Sequence, residues 1–259
     1  ALKKPTALGG PWKVYGTARR SKPSWFPSTF VDHYISFDAS NLDDTIKNLS
    51  PISNEVTHVF WVAIQVRENE EANVSINSAM LKNVLDVLKS VYANICKNQG
   101  LPFRFPGNRY TWEHFCDASD ARVLAEQHIW AAVSEKAKNQ AFNCTNGDVF
   151  TWKSFWKELS KVFNVQFVQF DGKEKFDVVE IMKKNASVWD QIVEDNGLFR
   201  TKIEDMITSF DALKTVLNFE FQHVSSMTKS RDFGFFGYAD TLRSIEMWVR
   251  RLQEMKIIP

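Results

Sequence analysis

WKVYGTARR, residues 12–20, is the stretch whose reading decides the fold. Val14 and Tyr15 belong in a sheet, Gly16 lets the backbone turn, and Arg19 and Arg20 stand where the strand empties. Two adjacent arginines there have two readings. One is a solvated basic loop. The other is a phosphate clamp, because paired guanidiniums present planar, forked donors that suit phosphate oxygens better than ammoniums do. Further strands follow: HYISF (33–37) and VTHVFWVAI (56–64) read as short and buried. The second of these is nearly continuous in apolar residues, as in parallel strands covered on both faces. SNLDDTIKNLSP lies between them, with Ser40 placed to cap a helix and Pro51 to stop it. Strand, helix, strand in that rhythm predicts a parallel α/β sheet.

Downstream the text turns helical. Residues 71–97 read as one long helical stretch, but DVLKS looks like a helix end and VYANICK opens a different apolar face, so Ser90–Val91 marks a junction. DASDARVLAEQHIWAAVSEKAKNQ (117–140) predicts an amphipathic helix capped by Ser119. AFNCTNGDVFTWKSFWKELSKVF predicts strand, turn and helix, with Asn146-Gly147 as the turn and Thr151 opening a helix that carries Phe155, Trp156 and Leu159. VQFVQF (165–170) predicts another short strand, residues 174–231 several short helices, and 241–256 a closing helix. The expected organisation is residues 1–90 as a nucleotide-binding α/β region and 91–259 as a mostly helical region.

Composition narrows the partners. The 259 residues are 44% hydrophobic and 24% charged, the usual globular mixture. A net charge of +1 projects no field toward nucleic acid or an acidic membrane. No apolar run reaches about eighteen residues, so no membrane span is expected. Cys96, Cys116 and Cys144 are odd in number and lack C-x-x-C spacing, which points to a reducing, cytoplasmic setting and away from disulfides or zinc. Nine Trp and twenty-one Phe supply enough aromatic surface for apolar pockets as well as a core.

The arginines gain meaning from where they stand. In a nucleotide-binding α/β sheet an acidic residue ending the second strand takes the ribose 2′-hydroxyl, whereas arginine accommodates a 2′-phosphate. Arg19 and Arg20 end this strand; Asp38 and Ala39 end the next, where a carboxylate can accept from an adenine amino group. A G-x-G-x-x-G loop is absent, and Gly9-Gly10-Pro11 precedes the strand instead. No two of His33, His58, His114, His128 and His223 share metal-ligand spacing, so no metal is expected. There is no G-x-S-x-G elbow. Asp117 and Asp120 suit a helix start, and none of Tyr15, Tyr34, Tyr92, Tyr110 and Tyr238 has a Lys four positions on.

GGPWKVYGTARR, VTHVFWVA, VYANICK through HIWAAVSEKAKNQAFNCTNGDVFTWKSFWK, and SMTKSRDFGFFGYADTLRSIEMWVRRLQEMKIIP together resemble the plant progesterone 5β-reductase/iridoid synthase family. Its members are NADPH-dependent enone reductases with an extended short-chain dehydrogenase fold. The resemblance implies an α/β, Rossmann-like parallel sheet with a helical C-terminal substrate and lid region. It implies 2′-phosphate contacts from Arg19 and Arg20, adenine contacts from Asp38 and Ala39, and a cofactor-side strand end at Val62, Ala63 and Ile64. The lid falls around Phe210, Leu213 and Phe221. The substrate it implies is a small-molecule enone (a steroid, a small enone or an iridoid precursor), and the assembly is left open, a homodimer among the options.

Against that family the residues given lack a first strand with its Gly-rich loop. They also lack a stretch of well over a hundred residues at Ser90–Val91, which would carry the family's catalytic Lys and Tyr. No catalytic residue is therefore assigned. Two expectations follow: the residues belong to a working NADPH-dependent reductase, or the chain is an inactive, truncated homologue that binds at most a ligand or partner.

Overall fold

The computed structural model describes residues 1–39, 41–60, 89–172 and 177–259. It is an α/β structure of two short sheets and many helices. Two compact units divide it: residues 1–64 with 125–141, and residues 65–124 with 142–259.

The first unit is built on β1 (Tyr15–Ala18) and β2 (His33–Ser36), which pair in parallel from Tyr15 opposite His33 to Ala18 opposite Ser36. Parallel strands are the expected class, but these two are joined by the loop 19–32 with its 3-10 turn Ser28–Phe30, not by the helix of the strand–helix–strand rhythm, which lies after β2. Gly16 permits it at close range, because a Cβ there would sit 2.9 Å from Val31 Cγ1. Helix α1 (Leu42–Leu49) follows β2. Its cap is Asn41, whose side chain accepts from the Asp44 N–H at 3.1 Å. Ser40, the expected cap, lies outside the described residues. Pro51 sits in the 3-10 turn Ser50–Ile52 where the helix stops, as expected.

The third expected strand does not form over its described part. Residues 56–60 are irregular, and Val56 and Val59 are exposed. A strand exists only where a neighbour takes its N–H and C=O groups. Among the described residues no backbone group does so for 56–60.

The second unit holds a continuous aromatic core. Residues 89–99 form α2, which runs unbroken across Ser90–Val91 with residues 89–96 all buried. The expected helix end at Ser90 is thus corrected: the Ser90 carbonyl accepts from Asn94 Nδ2 at 2.9 Å inside a helix buried on every face. Then come α3 (Arg109–Glu113), β3 (Phe115–Cys116) and the start of α4 (Ala121–Val133), whose residues from 125 onward belong to the first unit. The cap of α4 is Asp120 rather than Ser119. Asp120 Oδ1 accepts from the Arg122 N–H at 2.8 Å, while the Ser119 hydroxyl donates to the Cys144 carbonyl.

β4 (Phe150–Thr151) pairs antiparallel with β3 and leads into α5 (Trp152–Phe163), with Thr151 and Ser154 forming a reciprocal capping box. The turn and the helix hold as expected, Gly147 taking the φ of +85° that the turn requires, but the order is turn, strand, helix: residues 141–146 before the turn are irregular and β4 comes after it, because its partner β3 meets the chain only at 150–151. VQFVQF yields only an isolated parallel bridge, Phe167 to Phe103. The chain continues through α6 (Val178–Lys184), α7 (Ala186–Asp195), α8 (Ile203–Leu217), α9 (Thr228–Asp232) and α10 (Thr241–Glu254).

Trp156 centres this unit. Its ring stacks on Phe103 at 4.4 Å and 8°, and its Nε1 donates to the Phe103 carbonyl at 3.1 Å. Both are buried, as are Tyr92, Trp112 and Trp189. Burial pushes the Cys96 and Cys144 thiols up to about 11 and that of Cys116 up to about 12.

Candidate functional site

In parallel α/β sheets ligands collect at the carboxyl ends of the strands. In the first unit that edge is formed by the exits of β1 and β2. The register places Ala18 beside Ser36, and the Phe37 N–H donates to the Ala18 carbonyl at 3.0 Å, so the two exits leave side by side. Arg19 and Arg20 come off one, and Asp38 and Ala39 off the other.

Both arginines are exposed. Their backbones are tied down. The Arg19 carbonyl accepts from Ser36 Oγ and the Arg20 carbonyl from the Tyr34 hydroxyl, each at 3.2 Å. Their side chains are not: among the described residues no carboxylate pairs with either guanidinium. Two lysines of this unit are paired, Lys3 with Asp32 and Lys13 with Glu55, both at 2.7 Å. An edge carrying two uncommitted forks can take an anion with several oxygens, and a 2′-phosphate fits that donor set.

Asp38 is half-buried. Its N–H donates to Asp44 Oδ2 at 2.8 Å, and its carbonyl accepts from the Asn41 N–H at 3.0 Å. The backbone of Asp38 is therefore held on both sides, with Ala39 exposed beside it. Sequence reasoning missed Asp44, which caps the turn from within α1; an acidic residue in a first helical turn gives no hint of which backbone it will reach. Val62, Ala63 and Ile64 lie outside the described residues.

The same unit contains a tyrosine with a lysine at hand. Lys13 Nζ lies 5.1 Å from the centre of the Tyr15 ring, and the Tyr15 hydroxyl donates to Glu55 Oε1 at 2.5 Å. Glu55 raises the Lys13 ammonium above its ordinary value, Tyr15 adding to the effect, and Lys13 in turn lowers the Glu55 carboxyl. Tyr15 opens β1 opposite His33, at the end of the strand pair away from the arginines. Its committed hydroxyl is a structural bond.

In the second unit, Phe210 and Leu213 are fully buried in α8, inside the aromatic core. Phe221 is exposed and stacks on Phe219 at 4.8 Å. The expected lid residues thus divide into two core residues and one surface ring. Tyr92 is buried, which pushes its hydroxyl far up, and Tyr110 lies flat on His114 at 3.8 Å. Asp120 and Asn146 are a second pair that sequence reasoning undervalued. Asn146 Oδ1 accepts from the Asp120 N–H at 2.5 Å, and its Nδ2 donates to Thr241 Oγ1 at 2.8 Å. Asp120 also receives the Trp248 indole at 3.0 Å and Arg122 Nη2 at 2.8 Å. Asn146 of the NGD motif is therefore a buried hub as well as part of a turn.

The chain is 32% identical to 3-oxo-Δ(4,5)-steroid 5-beta-reductase of Arabidopsis thaliana, over 97% of this chain and 87% of that one. The chain belongs to the progesterone 5β-reductase/iridoid synthase family. Two (S)-8-oxocitronellyl enol synthases support the same membership: that of Camptotheca acuminata is 32% identical over 97% of the chain and 87% of its own length, and that of Catharanthus roseus 30% identical over 100% and 88%. These alignments run over 340, 342 and 344 positions, more than the 259 residues here; the one that covers the whole chain leaves about 85 positions with no counterpart in it, fewer than the well over a hundred expected at Ser90–Val91. No protein-family model matches the chain. Among the described residues no helix is long and apolar enough to cross a membrane.

Proposed function

We propose that the chain binds NADPH at the β1–β2 edge and serves the reduction of an activated C=C bond in a small-molecule enone. The observation that carries this is the pair of guanidiniums, Arg19 and Arg20, at the carboxyl end of parallel strands with no carboxylate partner among the described residues. Relatives named for a steroid 5-beta-reductase and for oxocitronellyl enol synthases point to the substrate class. When bound, NADPH supplies the hydride. The chain's own residues bind and orient: the two forks take the oxygens of the 2′-phosphate, and the turn at Asp38 and Ala39 lines the adenine side. A cytoplasmic setting suits the three cysteines, none of which forms a disulfide.

A second reading is a homologue that binds the dinucleotide without turnover. It is favoured by the tyrosines: Tyr15, the one found beside a lysine in the first unit's described residues, is committed to Glu55 at the far end of the strands. One experiment separates the readings. The purified chain is mixed with NADPH and a small cyclic enone, and dinucleotide binding and enone-dependent loss of NADPH absorbance are both followed. Binding with consumption supports the reductase. Binding alone leaves the second reading standing, and no binding of NADPH sinks both.

A further inference from the structure

We propose that Tyr34 and Ser36 of β2 are positioning residues that set the preference for the 2′-phosphorylated dinucleotide. They would do so by clamping the backbone beneath Arg19 and Arg20; the inference rests on the proposed cofactor reading. Residues two apart on a strand share a face, and on this face both side chains reach across to the exit of β1. Ser36 Oγ donates to the Arg19 carbonyl and the Tyr34 hydroxyl to the Arg20 carbonyl. Two successive carbonyls of a bend are thereby fixed by the neighbouring strand, although no ladder bond reaches them.

The strand pair is shaped for this. Gly16 stands opposite Tyr34 in the register, and a Cβ there would come within 3.6 Å of Tyr34 Cδ2. That is ordinary contact distance, so the Tyr34 ring lies against β1 at Gly16, from where its hydroxyl reaches the Arg20 carbonyl. The far side of that ring meets Phe26 edge-on at 6.0 Å, so Tyr34 also pins the loop that returns from the arginines.

A guanidinium on a loose bend must be ordered when it binds, and that entropic cost falls on the complex. With both carbonyls held, the arginine Cα positions are set beforehand and only the side-chain torsions need ordering. The clamp therefore favours the ligand that uses the guanidiniums. It does nothing for the one that lacks the extra phosphate.

The test measures dissociation constants of NADP+ and NAD+ for the purified 259-residue chain by calorimetry, with the fold of each variant checked by circular dichroism. Removing both forks (Arg19→Ala with Arg20→Ala) should lower the NADP+ over NAD+ preference by about 100-fold, as loss of charge-assisted bonds does. Removing the clamp (Tyr34→Phe with Ser36→Ala) should lower it about fivefold while NAD+ affinity stays within about twofold, the scale of neutral hydrogen bonds. Ser36→Thr, which keeps a hydroxyl, should retain the preference. An unchanged preference in the clamp variant, alongside its loss in the arginine variant, overturns the clamp and leaves the cofactor reading intact. Equal weakening of both dinucleotides makes Tyr34 and Ser36 structural only and also overturns it. An unchanged preference in the arginine variant, or no binding at all, overturns both. If the double clamp variant fails to fold, Ser36→Ala alone decides.

Discussion

The two units are held together by different physics. In the second, Trp112, Trp156, Trp189, Phe103, Phe210 and Leu213 are sealed in one cluster, and burial of such side chains is worth about 1.5–3 kcal/mol each. In the first, the described strands are half-exposed, and they are fastened by surface polar contacts. Asp32 takes Lys3 on one side and the Val14 N–H at 2.8 Å on the other, and Glu55 takes Lys13 and Tyr15. The contrast teaches a division of labour. The proposed ligand edge keeps its donors at the surface and rests on elements of modest local stability, whereas the aromatic unit is held by buried side chains.

The harshest way to break the comparison is Trp156→Ala. It removes the ring stacked on Phe103 and strands the Phe103 carbonyl, so a loss of about 3–5 kcal/mol is expected from urea unfolding. Hydrogen exchange should localise that loss to peptides such as 150–163. Equal deprotection of residues 12–37 would show that the two regions open together and would dissolve the distinction. A milder probe is Thr151→Ala, which deletes the capping box of α5 and should cost about 1 kcal/mol; a loss within error would mean that α5 is held by its buried face alone.

The gentlest probe is acid. Lys3, with help from the Val14 N–H, holds the Asp32 carboxyl below its ordinary 3.8, and Lys13 holds that of Glu55 below 4.5. Groups depressed in the folded state add stability above their unfolded values and lose it as pH falls through the folded ones. Asp117, in the second unit, runs the other way. Burial raises its carboxyl above 3.8, so its contribution is complete below that value and fades as pH rises through the folded one. Exchange measured from pH 6 down should therefore loosen residues 12–37 before the segment around Asp117, roughly as the carboxylates of the first unit protonate. Simultaneous loosening would contradict the assignment.

Much of this was legible in the residues. The strands β1 and β2 were legible as short apolar segments and α1 as a helix after them, and α5 followed from Thr151 and its spaced aromatics. What failed did so for non-local reasons. Residues 56–60 look like a strand because Val56, Val59 and Phe60 are apolar, but pairing depends on a neighbour that local text does not reveal. Ser90 looked like a helix end because Lys and Ser are polar; burial on all sides made that inference unsafe. For the proposed site, Arg19 and Arg20 are nominated by strand position alone, since cofactor choice is tied to that place in nucleotide-binding sheets. Asp44, Tyr34 and Ser36 could not, because each acts on the backbone of another segment and hydrogen-bond partners across a turn leave no periodic trace.

The three thiols offer a natural stopwatch. Alkylating reagents attack the thiolate, and Cys96, Cys116 and Cys144 all sit in the second unit with ionisation pushed to about 11, 12 and 11. At neutral pH they should label slowly in the native chain and at ordinary rates once that unit unfolds. Their labelling rate would then time openings of the aromatic unit without a single engineered probe, and the first unit, which has no cysteine, would stay silent throughout.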